Sequence, residues 1–208
     1  MIDITAQFER INAILQDIPG GTTKAWQSII SRANTTAKTA ALRGITSVYD
    51  IKAKDVRDRK NTTINLRTRK EGDAIIGEIK YSGGKIPLYR FGVKPKNPKP
   101  RSVRVPVPIG NSWVMAHPGG AVSARMLRSE SHTRFNNAFV ATMRSGHTGL
   151  FERIGRRSSK IREIMAVSTP QMAANAEIID KVEESTLETI AKRTEAEISR
   201  IISGHIRG

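Results

Sequence analysis

The spacing of apolar residues changes along the chain, and this change limits the possible folds more than any other feature. Two runs near the N-terminus place apolar or small residues at steps of three and four, which puts them on one face of a helix. Pro19 ends the first run, and Thr22 or Thr23 can cap the second. The residues on these faces are Phe8, Ile11, Leu15 and Ile18, then Trp26, Ile29, Ile30, Ala33, Ala37, Ala40, Ala41 and Val48.

The middle of the chain has the period of β-strands. After a further helical turn or two in residues 51–59, β-branched residues alternate with other residues in 63–67 and 74–80. Glu71-Gly72-Asp73 between these runs suits a turn, so a hairpin is predicted. Three more strand-like runs, 139–143, 149–154 and 160–165, are separated by short segments that contain glycine.

The C-terminal part returns to the helical period. Ser168-Thr169-Pro170 is typical of a helix start, and Ser203-Gly204 ends the apolar stripe. A helix over residues 169–203 is about 50 Å long, whereas a domain of this size is roughly 34 Å across. Part of the stripe is therefore expected to contact another chain. The residues proposed for this docking or oligomer contact are Ile179, Val182, Leu187, Ile190, Ile198 and Ile201.

The order of these runs predicts an α+β fold. It has N-terminal helices in residues 1–60, a mainly antiparallel sheet in a β-rich part over 61–168, and the long C-terminal helix. Its 208 residues fit a single domain, 1–208.

The charge is strongly positive and unevenly distributed. The chain has 35 Lys and Arg residues against 19 Asp and Glu residues, a net charge of +16. Residues 1–169 hold 30 basic and 12 acidic residues, whereas residues 170–203 hold 4 and 7. Such a basic body favours a nucleic acid or an acidic protein as its neighbour.

A basic segment rich in proline lies within this body. Residues 94–110 hold five prolines and five basic residues, and this density argues against a central strand. An extended loop over 94–112 is predicted: a solvated loop, an edge, or an arm that reaches a neighbouring subunit or a nucleic acid. Because aromatic residues are few, its contacts would be to phosphates. The proposed contacts to DNA or a partner are Lys94, Lys96, Lys99, Arg101, Arg104, Arg156, Arg157 and Lys160.

His147 and Ser145 are the residues that most suggest an active site. They stand in Ser-Gly-His-Thr-Gly, which differs from the Gly-x-Ser-x-Gly elbow of serine hydrolases. A hairpin turn in which glycine supplies a positive φ, and in which the histidine caps or stacks locally, accounts for these residues without catalysis.

Other reactive groups also give no catalytic pattern. The chain has no cysteine, its four histidines lack metal-ligand spacing, and its glycine pairs lack the context of a nucleotide site. Asp55 and Asp58, beside Arg57 and Arg59, suggest an exposed face with salt bridges. We expect no enzyme activity, no metal and no cofactor. Without a signal-like segment or a run of about 18 apolar residues, we also expect a soluble protein made in the cytoplasm.

Four segments, taken together and in order, resemble the prophage minor tail protein Z family of long-tailed bacteriophages. They are IKAKDVRDR (51–59), IPLYRFGVKPK (86–96), FVATMRSGHTGLFERIG (139–155) and IREIMAVSTPQM (161–172), and the resemblance covers roughly residues 25–175. We refer to them below as the four motif segments. The residues that match the family pattern, and to which the resemblance gives a structural role, are Phe139, Ser145, Gly146, His147, Gly149, Phe151, Pro170, Gln171 and Met172.

The resemblance implies a virion structural protein made in the host bacterial cytoplasm. Such a minor tail or tail-completion protein would stand at the head-proximal end of the tail, in a ring at the head-tail junction. The sixfold symmetry usual in such tails implies a hexameric ring. Its neighbours would be other copies and tail or neck proteins such as the tail terminator, tail tube and connector, with genomic DNA passing through and no membrane. From the residues alone, a protein that binds nucleic acid without sequence preference remains the alternative.

Overall fold

The computed structural model describes residues 4–58, 63–71, 74–97, 105–109, 112–116, 122–135, 138–154 and 160–206. The helices are α1 (Thr5–Leu15), α2 (Gly21–Val48), α3 (Ala53–Val56), α4 (Thr169–Ala173) and α5 (Ala176–Ile206), with one 3-10 turn at Leu88–Arg90. No helix within these ranges is long and apolar enough to cross a membrane.

The strands confirm the predicted α+β class. They are β1 (Thr63–Glu71), β2 (Ala74–Ser82), β3 (Lys85–Pro87), β4 (Val105–Ile109), β5 (Ser112–Ala116), β6 (Val122–Ala124), β7 (Thr133–Phe135), β8 (Ala138–Thr142), β9 (Thr148–Arg153), β10 (Ile161–Glu163) and β11 (Met165–Ser168). All described pairings are antiparallel. The strands are divided among small sheets: β10-β9-β8 has three strands, and β1-β2, β11-β3, β4-β5 and β6-β7 have two each.

The chain divides into two compact units. The helical unit comprises residues 1–45, 62–83 and 170–208, and the β-rich unit comprises residues 46–61 and 84–169. The predicted hairpin belongs to the helical unit, where β1 pairs with β2 from Thr63↔Ser82 to Glu71↔Ala74. The single domain over 1–208 stays a prediction.

An apolar core holds the helical unit together, and it is built from the predicted helix faces. The ring centroids of Phe8 and Trp26 lie 5.6 Å apart. The buried residues of this core are Ile11, Leu15, Ala25, Trp26, Ile29, Ile30, Ala33, Ile190 and Ile198. Burial of each large side chain of this kind contributes about 1.5–3 kcal/mol, so the three long helices are held mainly by this cluster.

Small and hydroxyl-bearing residues let α2 lie antiparallel against α5. The Ser28 hydroxyl donates to Glu197 Oε1 at 2.6 Å near one end, and the Thr189 hydroxyl donates to Thr36 Oγ1 at 3.2 Å near the middle. At the other end, a Cβ added to Gly44 would stand 3.0 Å from Ile178 Cγ2. The small residues of α2 therefore allow a close approach to α5 within the chain.

The C-terminal helix differs from the continuous helix predicted over residues 169–203. It is interrupted after Ala173, and α5 then runs from Ala176 to Ile206. Asn175 explains the interruption, because its side-chain Oδ1 accepts a hydrogen bond from the Glu177 amide at 3.1 Å. A side chain that caps a helix in this way starts a new helix.

The β-rich unit surrounds a second apolar core formed by short elements. The buried residues of this unit include Ile51, Val56, Ile86, Leu88, Phe91, Val93, Val122, Ala124, Val140, Leu150, Phe151 and Ala166. Two isolated bridges, Tyr49↔Leu127 and Lys94↔Ser123, extend the pairing beyond the named strands.

Within the extended loop predicted over residues 94–112, the structure describes one isolated bridge and one strand of a two-stranded hairpin. Lys94 bridges Ser123, and β4 pairs with β5 from Val105↔Ala116 to Ile109↔Ser112. Pro106 and Pro108 fit this hairpin because residues two apart direct their backbone N–H positions to the same edge of a strand. A two-stranded hairpin leaves that edge unpaired, so the missing N–H groups cost no ladder hydrogen bond.

Candidate functional site in the β-rich unit

Two of the four motif segments meet where β3 pairs with β11. Met165 lies opposite Pro87 and Ser168 lies opposite Lys85. The Leu88 amide also donates to the Ile164 carbonyl at 2.9 Å. Segments 86–96 and 161–172, far apart in sequence, are therefore joined by backbone hydrogen bonds.

A partly buried ion pair joins segment 51–59 to segment 86–96. Arg90 Nη1 donates to Asp55 Oδ1 at 3.0 Å, and Asp55 is only 7% exposed. The expectation that Asp55 forms part of an exposed, locally paired face was wrong. α3 is only four residues long, and two of these residues, Asp55 and Val56, are buried. The carboxylate of Asp55 therefore pairs with Arg90, which lies 35 residues away in the sequence.

The Ser-Gly-His-Thr-Gly segment forms the predicted hairpin turn between β8 and β9. The Gly146 amide donates to the Met143 carbonyl at 2.9 Å, and the Met143 amide donates to the His147 carbonyl at 2.7 Å. Gly146 has a φ of 82°, a conformation in which a Cβ is unfavourable. This three-residue loop, closed by a residue in the left-handed region, is a common hairpin connection.

His147 connects this hairpin to β10. Its Nε2 lies 2.8 Å from Glu163 Oε1, and its ring meets the Phe151 ring edge-on at a centroid distance of 6.3 Å. A Cβ added to Gly149 would collide with the Glu163 carboxylate. Gly149 therefore leaves the space in which Glu163 reaches the imidazole, so segments 139–155 and 161–172 are joined as well.

The chemistry of this arrangement is that of a tether between strands. In the described part of the chain, the side-chain hydrogen bond of His147 goes to Glu163, and Ser145 lies on the exposed turn. A serine hydrolase instead needs the imidazole bonded to the nucleophilic hydroxyl. The expectation that the chain is not an enzyme remains a prediction.

A second polar cluster was missed in the sequence. Asp50 Oδ2 accepts hydrogen bonds from Arg125 Nε at 3.1 Å and Nη2 at 2.8 Å, and Arg128 Nη1 lies 3.6 Å from Oδ1. A Cβ added to Gly92 would collide with this carboxylate. Burial opposes ionisation of Asp50, but the hydrogen bond and charge of Arg125, with the charges of Arg128 and His132, outweigh it and lower its pKa.

These partners could not be found from sequence spacing. Asp50 and Arg125 are 75 residues apart, and His147 and Glu163 are 16 apart. The sequence did contain one signal for Glu163. If the consecutive strand-like runs pair as adjacent hairpins, their register places Glu163 opposite Phe151.

Six of the nine proposed family-motif residues lie in the β-rich unit, and Pro170, Gln171 and Met172 lie in the helical unit. The Phe139 and Phe151 rings lie 6.2 Å apart. Pro170, Gln171 and Met172 form most of α4, and of these Met172 is fully buried while Gln171 is exposed.

The proposed contacts for DNA or a partner are only partly described. Lys94, Lys96 and Lys160 are exposed. The other five, Lys99, Arg101, Arg104, Arg156 and Arg157, lie outside the described residues.

The proposed docking residues of α5 fall into two groups. Ile190 and Ile198 lie in the core of the helical unit, with Ile201 packed against it. Val182 is half-buried, whereas Ile179 and Leu187 are 42% and 38% exposed.

The described residues hold no group of three or more His, Cys, Asp or Glu side chains that could bind a metal ion. Comparisons of the chain with family models, with curated proteins and with solved structures found no match.

Proposed function

We propose that this chain is a structural protein of a bacteriophage virion, a minor tail or tail-completion protein at the head-proximal end of the tail. One observation carries the proposal: described residues of all four motif segments are joined within the β-rich unit, which holds the last segment as far as Thr169. Asp55–Arg90, β3–β11 and His147–Glu163 join them. Residues of these segments thus pair with one another within this unit.

The use of the most reactive side chain also supports a structural role. His147 bonds to Glu163 across two strands, and Gly149 provides the space for that bond. Each residue of the hairpin motif that the structure explains acts on packing or backbone geometry. Motif residues that stabilise the fold support the role of an assembly component better than that of an enzyme.

Assembly with other copies belongs to the same proposal. We propose a ring of copies, hexameric as in the sixfold tails that the resemblance implies, at the head-tail junction beside tail or neck proteins. Ile179 and Leu187 support a contact through α5, because both are large apolar side chains on the exposed side of that helix. Genomic DNA would pass through such a ring.

Gold labelling of an epitope-tagged copy in intact virions tests the location. We expect label at the head-proximal end of the tail in electron micrographs, and the protein itself in virion mass spectra. An untagged phage treated with the same antibody serves as the control. Virions without label, together with mass spectra that lack the protein, would overturn the proposal.

A further inference from the structure

The net charge of the chain resides almost entirely in one unit. The β-rich unit has 21 Lys and Arg residues against 6 Asp and Glu residues, a net charge of +15, whereas the helical unit has 14 against 13. An excess of this size in about half of the chain creates a local field that attracts anions.

The few carboxylates of the β-rich unit are mostly occupied within it. Asp50 faces Arg125, Asp55 faces Arg90, Glu152 faces Arg162, and Glu163 faces His147. These pairs use four of the six carboxylates of the unit, which has 21 Lys and Arg residues. Among the described cations of this unit, Lys94 and Arg134 are exposed to solvent.

Three of the exposed or half-buried polar residues form one row across adjacent strands. Lys94 and Ser123 exchange backbone hydrogen bonds of 2.8 and 2.9 Å, and Ser123 lies opposite Arg134 in the β6–β7 pair. Residues opposite each other in neighbouring strands share one face of a sheet. The neighbours of Ser123 in β6, Val122 and Ala124, are buried on the other face. We call Lys94, Ser123 and Arg134 the basic row.

The two cations of the basic row are close enough to repel each other. Two strand spacings place their backbones about 10 Å apart, and the screening length is also about 10 Å at 0.1 M salt. An anion that lies across the row removes this repulsion, and the Ser123 hydroxyl between the cations can donate a hydrogen bond to it.

We propose that the basic row binds the phosphate backbone of duplex DNA without reading its sequence. Lys, Arg and Ser side chains are typical donors to phosphate oxygens, and such contacts carry no sequence information. The proposal rests on the charge and strand register of the β-rich unit, and it holds whether or not the chain stands in a phage tail.

DNA fits this row better than an acidic protein does. Protein interfaces centre on aromatic or large apolar side chains that are buried on binding. The exposed large apolar residues described in the β-rich unit are Met126, Ile154, Ile161 and Met165. None of these belongs to the basic row, which offers only charge and a hydroxyl.

Binding of a mixed-sequence 30-base-pair duplex to the full chain tests the proposal. Fluorescence anisotropy at increasing salt should show that the affinity falls linearly on a log–log scale. A second duplex of unrelated sequence should bind equally well. Lack of binding at low salt, or a strong preference for one sequence, would overturn the proposal.

The double variant Lys94→Ala/Arg134→Ala tests the row itself. Loss of two phosphate contacts should weaken binding at 0.1 M salt by about tenfold or more and reduce the salt slope by about 2. The matched control is Lys24→Ala/Lys192→Ala, which removes two exposed cations from the helical unit. We expect the control to keep the salt slope. Equal losses in both variants would mean diffuse attraction and would overturn the proposal.

Further measurements show whether a loss of binding in the double variant comes from its charge, from its fold or from the choice of anion. Lys94→Arg/Arg134→Lys keeps both charges and should keep the salt slope, and a matching circular dichroism spectrum of each variant should show that the fold is intact. Competition with polyglutamate separates the two anionic partners. Displacement of the duplex by polyglutamate at equal charge concentration would overturn DNA in favour of an acidic protein.

Discussion

The two units of this chain solve the problem of stability in different ways. The helical unit has nearly balanced charges and a continuous apolar core in which Trp26 is almost fully buried. The β-rich unit is divided among small sheets, and polar pairs such as Asp55–Arg90 join segments distant in sequence. A large core makes a unit insensitive to single polar changes, whereas a unit of short strands depends on each tether.

The largest loss of stability is expected from the core of the helical unit. Trp26→Ala should lower the free energy of unfolding by about 3–5 kcal/mol, because it leaves a cavity among α1, α2 and α5. Urea denaturation followed by circular dichroism measures this change. Ile14→Ala, at an exposed position of α1, is the control and should change the free energy by about 0.5 kcal/mol or less. Similar losses in both variants would contradict the described core.

A smaller loss is expected from the tether at Gly149. In Gly149→Ala the new methyl group displaces the Glu163 carboxylate from His147, which should cost about 1–3 kcal/mol. The control is Gly84→Ala, because a Cβ there would have no atom within 4 Å. If both alanine variants unfold at the same urea concentration, the His147–Glu163 tether contributes little to the free energy of unfolding. The β-rich unit would then not depend on its polar pairs in the way described here.

Acid should weaken the helical unit through Glu197. Burial opposes its ionisation, but hydrogen bonds from Ser28 and Arg200 and the charges of Arg200 and Arg193 outweigh this and hold its pKa below the ordinary value of 4.5. A lowered folded pKa stabilises the fold above the unfolded pKa, and this contribution is lost as pH falls through the folded pKa.

Glu197→Gln makes this effect measurable. At neutral pH the variant should be less stable by about 1 kcal/mol, and the difference should shrink as pH falls from about 5 to 3. Urea denaturation at several pH values gives both quantities. A difference that stays constant with pH would contradict the lowered pKa.

The smallest effect on stability is expected on the exposed side of α5. Ile179→Ser/Leu187→Ser should change the free energy of unfolding by about 1 kcal/mol or less but should reduce self-association measured by sedimentation. Ile190→Ser, at a buried position of the same helix, should unfold the unit instead. An unchanged oligomeric state in the double variant would contradict the proposed α5 contact.

The contrast between the units also explains what the sequence could predict. Helix faces such as Ile11 and Leu15 were predicted correctly because apolar spacing is a local signal, and Gly146 marked its turn for the same reason. The break at Asn175 was missed because an apolar stripe continues past it, and only the side-chain cap reveals the new start.

The polar tethers were beyond the reach of local patterns. Asp55 beside Arg57 looks like a solvated charge pair, and only the fold shows that its partner is Arg90. His147 was predicted to cap or stack locally in a hairpin, and its ring meets the Phe151 ring. Its hydrogen-bond partner Glu163, however, is set by the register of three strands. The predicted ring and its neighbours stay predictions because they concern other chains.

The contact between Gly149 and Glu163 restricts how sequences can diverge. A larger residue at 149 requires a shorter one at 163, and after loss of the carboxylate the Phe151 ring, 3.0 Å from such a Cβ, is the remaining close neighbour among those described. Once relatives of this chain are aligned, the two positions should covary, and His147 should drift where Glu163 is replaced. Such a pattern would show that positions 147, 149 and 163 change together during evolution, whatever happens in the rest of the chain.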